Sequence, residues 1–135
     1  MLLIEDGGYH LLVKAKVNGS RVTLLIDTGA SKTVFDKSRI QMFADEKTFL
    51  PIEKLSAGLG TTMMETQSAT LKKFEVGKLK IRDFETIIID LSHVNQTYAK
   101  LDLPVIDGVL GSDLMVRHHA VIDYRKKEMK LRWKK

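Results

Sequence analysis

The stretch Leu24-Leu25-Ile26-Asp27-Thr28-Gly29-Ala30-Ser31-Lys32-Thr33-Val34-Phe35 decides how this 135-residue chain is read. Three apolar residues run straight into an acid. A carboxylate at the end of a buried strand is costly unless it is hydrogen-bonded or put to chemical use. The residues that follow suit a use. Thr28 offers a hydroxyl that can tie the turn to a neighbouring backbone. Gly29 lets the backbone approach a carboxylate or another chain closely. Ala30 keeps the surroundings small. A plain turn with an Asx hydrogen bond from Asp27 accounts for the tripeptide alone, so its context has to be weighed.

Upstream, Leu11 to Val17 alternates as a half-buried strand, Asn18-Gly19 is a hairpin turn, and Arg21 to Ile26 is the returning strand. Ser31 to Phe35 reads as a further strand, and Lys37 to Phe43 as one or two helical turns. Leu55 to Thr66, with two glycines near its centre, reads as a hairpin tip. Thr70 to Val76 and Lys78 to Phe84 pair about Gly77, and Thr86 to Leu91 is a buried β-branched strand. Ser92 to Leu103 reads as a polar loop insertion. Val105 to Gly111 is another buried strand. Ser112 and Asp113 supply an N-cap and a first-turn acid for a short helix, Leu114 to His118. Ala120 to Tyr124 and Lys127 to Trp133 close the chain as a hairpin. The expectation is one all-β domain over residues 1–135, a barrel or sandwich.

Composition narrows the function. No apolar run approaches the ~20 residues of a membrane-spanning helix. The opening MLLIEDGGYH has neither a basic segment nor a long apolar one, so the expected compartment is the cytoplasm. The chain has no cysteine, which excludes thiol nucleophiles, disulfides and cysteine metal sites. His10, His93, His118 and His119 do not form a ligand set, so no metal and no cofactor are expected. Ser31 has no evident histidine partner, and Gly58-Leu59-Gly60 lacks the third glycine of a dinucleotide-binding turn. The net charge is +5, but Arg125 to Lys135 carries seven basic residues and one acid, leaving the rest at −1. That strip reads as an edge strand guarded by lysines. A nucleic-acid surface is the rival reading, and no aromatic-interleaved basic motif accompanies it.

The ordered set of Asp27-Thr28-Gly29-Ala30, a glycine-bearing tip at Ala57-Gly58-Leu59-Gly60, and Val109-Leu110-Gly111 before a short helix resembles the retropepsin-like aspartic proteases. That group covers the retroviral proteases, the protease domain of the DNA-damage-inducible shuttle proteins, and small bacterial relatives. The segment Gly108 to His119 looks most like the last two. The resemblance spans about Leu11 to Leu131. It implies a closed β-barrel with a flap hairpin and one short C-terminal helix. It implies an aspartic endopeptidase in which Asp27 is catalytic and Thr28 and Gly29 order the site. Ala30, Gly58, Leu59, Gly60 and Val109 would contact an extended peptide substrate. Two carboxylates act together in such a site, and this chain has one Asp-Thr-Gly. The second acid would therefore come from a second copy in a homodimer. Asp107-Gly108 is the one internal rival, and it reads as a cleft-wall or turn residue. Met63 and Met64 suit an apolar pocket or, more simply, core filling. Three features depart from the retroviral pattern. Ser112 stands where those enzymes usually carry arginine, the interval between flap and Gly111 is long, and the flap has fewer glycines than in some relatives. The alternative is an inactive peptide-binding or dimerisation module on the same fold.

Overall fold

The computed structural model describes residues 2–3, 5–7, 10–43, 50–51 and 67–132, with side-chain detail for 11–43 and 67–132. The chain is mostly β. Its strands are β1 (Leu2–Leu3), β2 (Glu5–Gly7), β3 (His10–Val17), β4 (Ser20–Ile26), β5 (Val34–Asp36), β6 (Leu50–Pro51), β7 (Gln67–Val76), β8 (Leu79–Ile89), β9 (Gly108–Leu110), β10 (Val121–Asp123) and β11 (Glu128–Lys130). Among the described residues the helices are the single turn α1 (Lys37–Ile40), α2 (Ser92–Lys100) and α3 (Ser112–Arg117).

The β3–β4 hairpin turns on Asn18 and Gly19, both at positive φ (50° and 87°), as a two-residue hairpin with right-handed strand twist requires. Asn18 does more than turn. Its backbone N–H and side-chain carbonyl both bond the backbone of Lys73 on β7, at 2.8 and 3.1 Å. That stitch stands beside the register pairs Lys16↔Glu75 and Val17↔Phe74, which join β3 to β7. The six strands β3-β4-β9-β5-β8-β7 thereby close into a barrel, with β2 and β6 appended outside the ring. Phe35, Phe74 and Phe84 stack through its interior, with centroids 6.0 and 5.0 Å apart. They lie in a core that also holds Val22, Leu24, Leu71, Ile88 and Leu110.

The position of β9 sets up the site. This strand slides between β4, to which it is parallel, and β5, to which it is antiparallel. The space is so tight that it begins and is followed by glycine. A Cβ on Gly108 would overlap the carbonyl oxygen of Val34, and one on Gly111 would sit 2.6 Å from the Lys32 carbonyl.

Several local expectations change. Ser92 to Leu103 is not an irregular loop: residues 92–100 form α2, so the short C-terminal helix α3 is not the only helix of consequence. Lys78 to Phe84 and Thr86 to Leu91 are one continuous strand, β8, ending at Ile89. The strand expected over Ser31 to Phe35 starts at Val34, because Thr33 directs its N–H to a side chain instead of a ladder partner. Val105 to Gly111 shortens to Gly108–Leu110, since Ile106 bonds the Asn95 side chain. Gly111, not Ser112, is the N-cap of α3. The basic strip is not an edge: β11 is the middle strand of a three-stranded sheet β1-β11-β10.

Candidate active site

Asp27 follows the last residue of β4. Its N–H donates to the Leu110 carbonyl at 3.1 Å, so β9 fixes the height at which the strand stops. The chain then reverses: the Ala30 N–H bonds the Asp27 carbonyl at 3.1 Å. The Gly29 N–H donates to Asp27 Oδ1 at 2.9 Å. A side chain on Gly29 would bring its Cβ to 3.3 Å from that same oxygen, so glycine keeps the carboxylate's flank open. The carboxylate is exposed, at one side of a cleft of about 350 Å³ lined by Leu11, Leu25, Ile26, Thr28, Ile122 and Tyr124.

A polar bolt holds this loop from behind. Thr33 is fully buried. Its hydroxyl donates to Asp113 Oδ1 at 2.8 Å and accepts the Gly111 N–H at 3.0 Å, and its own N–H bonds Asp113 Oδ2 at 3.1 Å. On the other side, the Thr33 carbonyl accepts from Thr86 Oγ1 and the Ile87 N–H, at 2.8 and 3.2 Å. The Ser112 N–H closes the loop onto the Ala30 carbonyl at 2.7 Å. Thr33 was not among the site residues expected from sequence. Its only signal was a polar residue inside a run that otherwise read as strand.

The Thr28 hydroxyl makes no hydrogen bond among the described residues. It is exposed and faces a groove of about 420 Å³ formed with Ser112, Met115, Val116, His119, Ala120 and Ile122. Val116, which lines that groove, is 74% exposed, and Tyr124, which lines the Asp27 cleft, is 70% exposed.

Asp107 is not a partner for Asp27. It is 5% exposed, it accepts the Thr23 N–H at 2.7 Å through Oδ2, and it pairs through Oδ1 with the Arg39 guanidinium. Thr23 lies four residues up β4 from Asp27, about 13 Å at ~3.3 Å per residue. Asp107 is thus a buried structural ion-pair residue rather than a wall of the cleft.

Ala30 and Val109 do come together. Both belong to, or pack on, a second apolar cluster that includes Leu12, Leu25, Val34, Ile106 and Tyr98 of α2. Burial and the negative charge of Asp27 push the Tyr98 phenol above its ordinary pKa of 10.0. At the start of α2, the Ser92 backbone N–H bonds the Asp90 carboxylate at 2.8 Å and holds that group below the usual carboxylate value. Gly58, Leu59, Gly60, Met63 and Met64 lie outside the described residues.

A barrel with β9 threaded beside an Asp-Thr-Gly turn is the architecture of a retropepsin-like fold. Residues 13–114 match the aspartyl protease family, and the chain belongs to it. Among solved structures it is similar to the retroviral protease-like domain of Ddi1 from Leishmania major, at 15% identity and a TM-score of 0.62, covering 90% of this chain and 87% of that one. It is also similar to a retropepsin-like aspartic protease from Rickettsia conorii, at 18% identity and a TM-score of 0.61, over 92% and 82% of the two chains. The EIAV protease in complex with the inhibitor HBY-793 aligns at 17% identity and a TM-score of 0.55, over 81% of this chain and 88% of that chain. No curated protein matches.

Proposed function

We propose that this protein is an aspartic endopeptidase whose active site is built from Asp27 of two identical chains. The observation that carries the reading is the disposition of its acids. Asp27 is held by the Gly29 N–H with its carboxylate at the surface, whereas the one internal rival, Asp107, is consumed by Arg39 and Thr23. Half a dyad sits at the surface beside a groove lined by the exposed Val116, as a site completed by a symmetric partner requires. Thr28, unbonded among the described residues and facing that groove, is available to the second copy.

Two carboxylates brought together share one proton, because their charges repel in a poorly solvated site. The ionised one takes a proton from water as that water attacks the scissile carbonyl carbon. The protonated one donates a hydrogen bond to the carbonyl oxygen, on which negative charge develops. The hydrogen-bonded proton passes to that oxygen and gives a neutral diol. The C–N bond then breaks as the carboxyl that took the water's proton gives it to the amine nitrogen, while the other carboxylate takes a proton back from a diol hydroxyl. No covalent enzyme intermediate forms. The substrate is an extended peptide with apolar side chains against Ala30 and Val109.

Asp27→Asn tests this. It retains the size of the side chain and the carbonyl acceptor for Gly29, but it cannot act as base or share a proton. General acid–base catalysis contributes ~10²–10⁴-fold, so turnover of a peptide should fall at least that far while a non-cleavable analogue still binds. Cleavage by Asp27→Asn at the unaltered rate would refute the assignment. Binding without cleavage by both forms would leave a peptide-binding module.

A further inference from the structure

We propose that α2 forms the rear wall of the apolar subsite beside Asp27, and that Tyr98 sets how large a substrate side chain that subsite accepts. The inference rests on the proteolytic reading and adds a specificity determinant to it.

Strand geometry builds the subsite. Leu25, on β4, and Asp27, just past its end, line the same cleft. Val109 is the register partner of Leu25 on the neighbouring parallel strand β9. Ala30 follows on the loop from Asp27. These three apolar residues pack on a cluster whose buried members include Tyr98, while Val94, one turn earlier on α2, packs against it. Tyr98 is only 4% exposed.

The helix is not a loose insertion that a substrate would push aside. The Asn95 carboxamide accepts the Ile106 N–H at 2.8 Å and donates to the Ile106 carbonyl at 3.2 Å, a two-point bridge to the segment that becomes β9. The Leu91 N–H bonds Asp36 Oδ1 at 3.1 Å, which ties the entry of α2 to the end of β5. The Leu103 N–H returns to the Tyr98 carbonyl at 2.9 Å. A helix held this firmly keeps the buried Tyr98 ring packed in the cluster that Val109 and Ala30 share, and so limits the depth available to an incoming side chain. Packed interiors do not collapse fully when a side chain is truncated, so part of the ring's volume becomes usable space.

The test uses hydroxyl-bearing, non-cleavable peptide analogues that differ only in the side chain at the cleaved position, from alanine to tryptophan. Their affinities are measured by calorimetry for the unaltered chain, Tyr98→Phe and Tyr98→Leu, alongside turnover of matched substrates. A methylene in an apolar pocket discriminates by ~10-fold or more. Tyr98→Leu should therefore raise the large-to-small preference by about 10-fold, and Tyr98→Phe should leave it unchanged. If Tyr98→Leu does not fold, Val94→Ala is read by the same ratio, which should also rise. A folded variant with an unaltered ratio, or an equal loss for every analogue, overturns the proposal. Because binding is read apart from turnover, an unaltered chain that binds the series but cleaves nothing refutes proteolysis and leaves the subsite claim to the ratio. A chain that binds no member overturns both.

Discussion

Thr33 and Asp113 grip each other twice, hydroxyl to Oδ1 at 2.8 Å and backbone N–H to Oδ2 at 3.1 Å. The pair joins the loop that carries Asp27 to the first turn of α3, 80 residues along the chain. The same hydroxyl accepts the Gly111 N–H, so one oxygen organises both sides of the site. Thr33→Val keeps the shape and removes that oxygen. It leaves a buried N–H and a carboxylate oxygen short of partners, at a cost of about 1–3 kcal/mol. Asp113→Asn, which retains one acceptor, should lose less. Denaturant titration of the two variants gives the comparison, and activity should fall with Thr33→Val beyond what the unfolded fraction explains.

Arg39 and Asp107 form the second polar anchor. Removing one partner of a fully buried pair costs ~3–5 kcal/mol. The Arg39 side chain is 34% exposed, so Asp107→Ala should cost less, about 2–3 kcal/mol, including the orphaned Thr23 N–H. Thermal denaturation should show it. A neutral result would mean that Asp107 is not a structural residue.

How far the sequence reveals this arrangement can be judged element by element. The β3–β4 hairpin was legible because Asn18-Gly19 has one cheap conformation and the flanking residues alternate. The Asp-Thr-Gly turn was legible because an acid ending an apolar strand is rare. Helix α2 was missed because its residues are mostly polar, and only Leu91, Val94 and Tyr98 mark its buried side. Their spacing of three and four is the helical period and was the available signal. The bolt between Thr33 and Asp113 had no such signal, since nothing local relates residues so distant in sequence. The central place of β11 was also hidden. Lysines guard an edge strand and decorate the solvent face of a middle one equally well, and only the pairing of β1 with β11 decides between them.

Tyr98 makes stability sensitive to alkali. Its folded pKa lies above the ordinary 10.0, so the folded chain keeps the proton where the unfolded chain has lost it. The stability linked to this group is whole below pH 10 and declines as pH rises from there through the raised folded value. Tyr98→Phe cannot ionise, and its stability should fall less steeply over that range in denaturant titrations at successive pH values. Parallel curves would place the phenol in a watery setting instead.

Activity should trace a bell against pH. It falls on the alkaline side as the shared proton is lost and on the acid side as both carboxylates become protonated, and the two limbs belong to the pair rather than to either residue. A peptide analogue bearing a hydroxyl in place of the scissile carbonyl should inhibit, because it resembles the tetrahedral species. Inhibition by chelators or serine reagents would count against the mechanism.

The groove that Thr28 and Val116 share is the expected seam between copies. Val116→Glu puts two like charges into a symmetric contact and should shift the activity curve to higher protein concentration. The melting temperature of the isolated chain should hardly move, because Val116 is 74% exposed. An unshifted curve would place the seam elsewhere.

The most direct test of the shared site is subunit mixing. A fixed amount of the unaltered chain is assayed for peptide cleavage while Asp27→Asn chain is added in increasing excess. If each site takes one Asp27 from each of two copies, mixed dimers hold one carboxylate, and activity should collapse as they form. Activity that stays constant at large excess, with mixed dimers demonstrated by mass, would contradict the account.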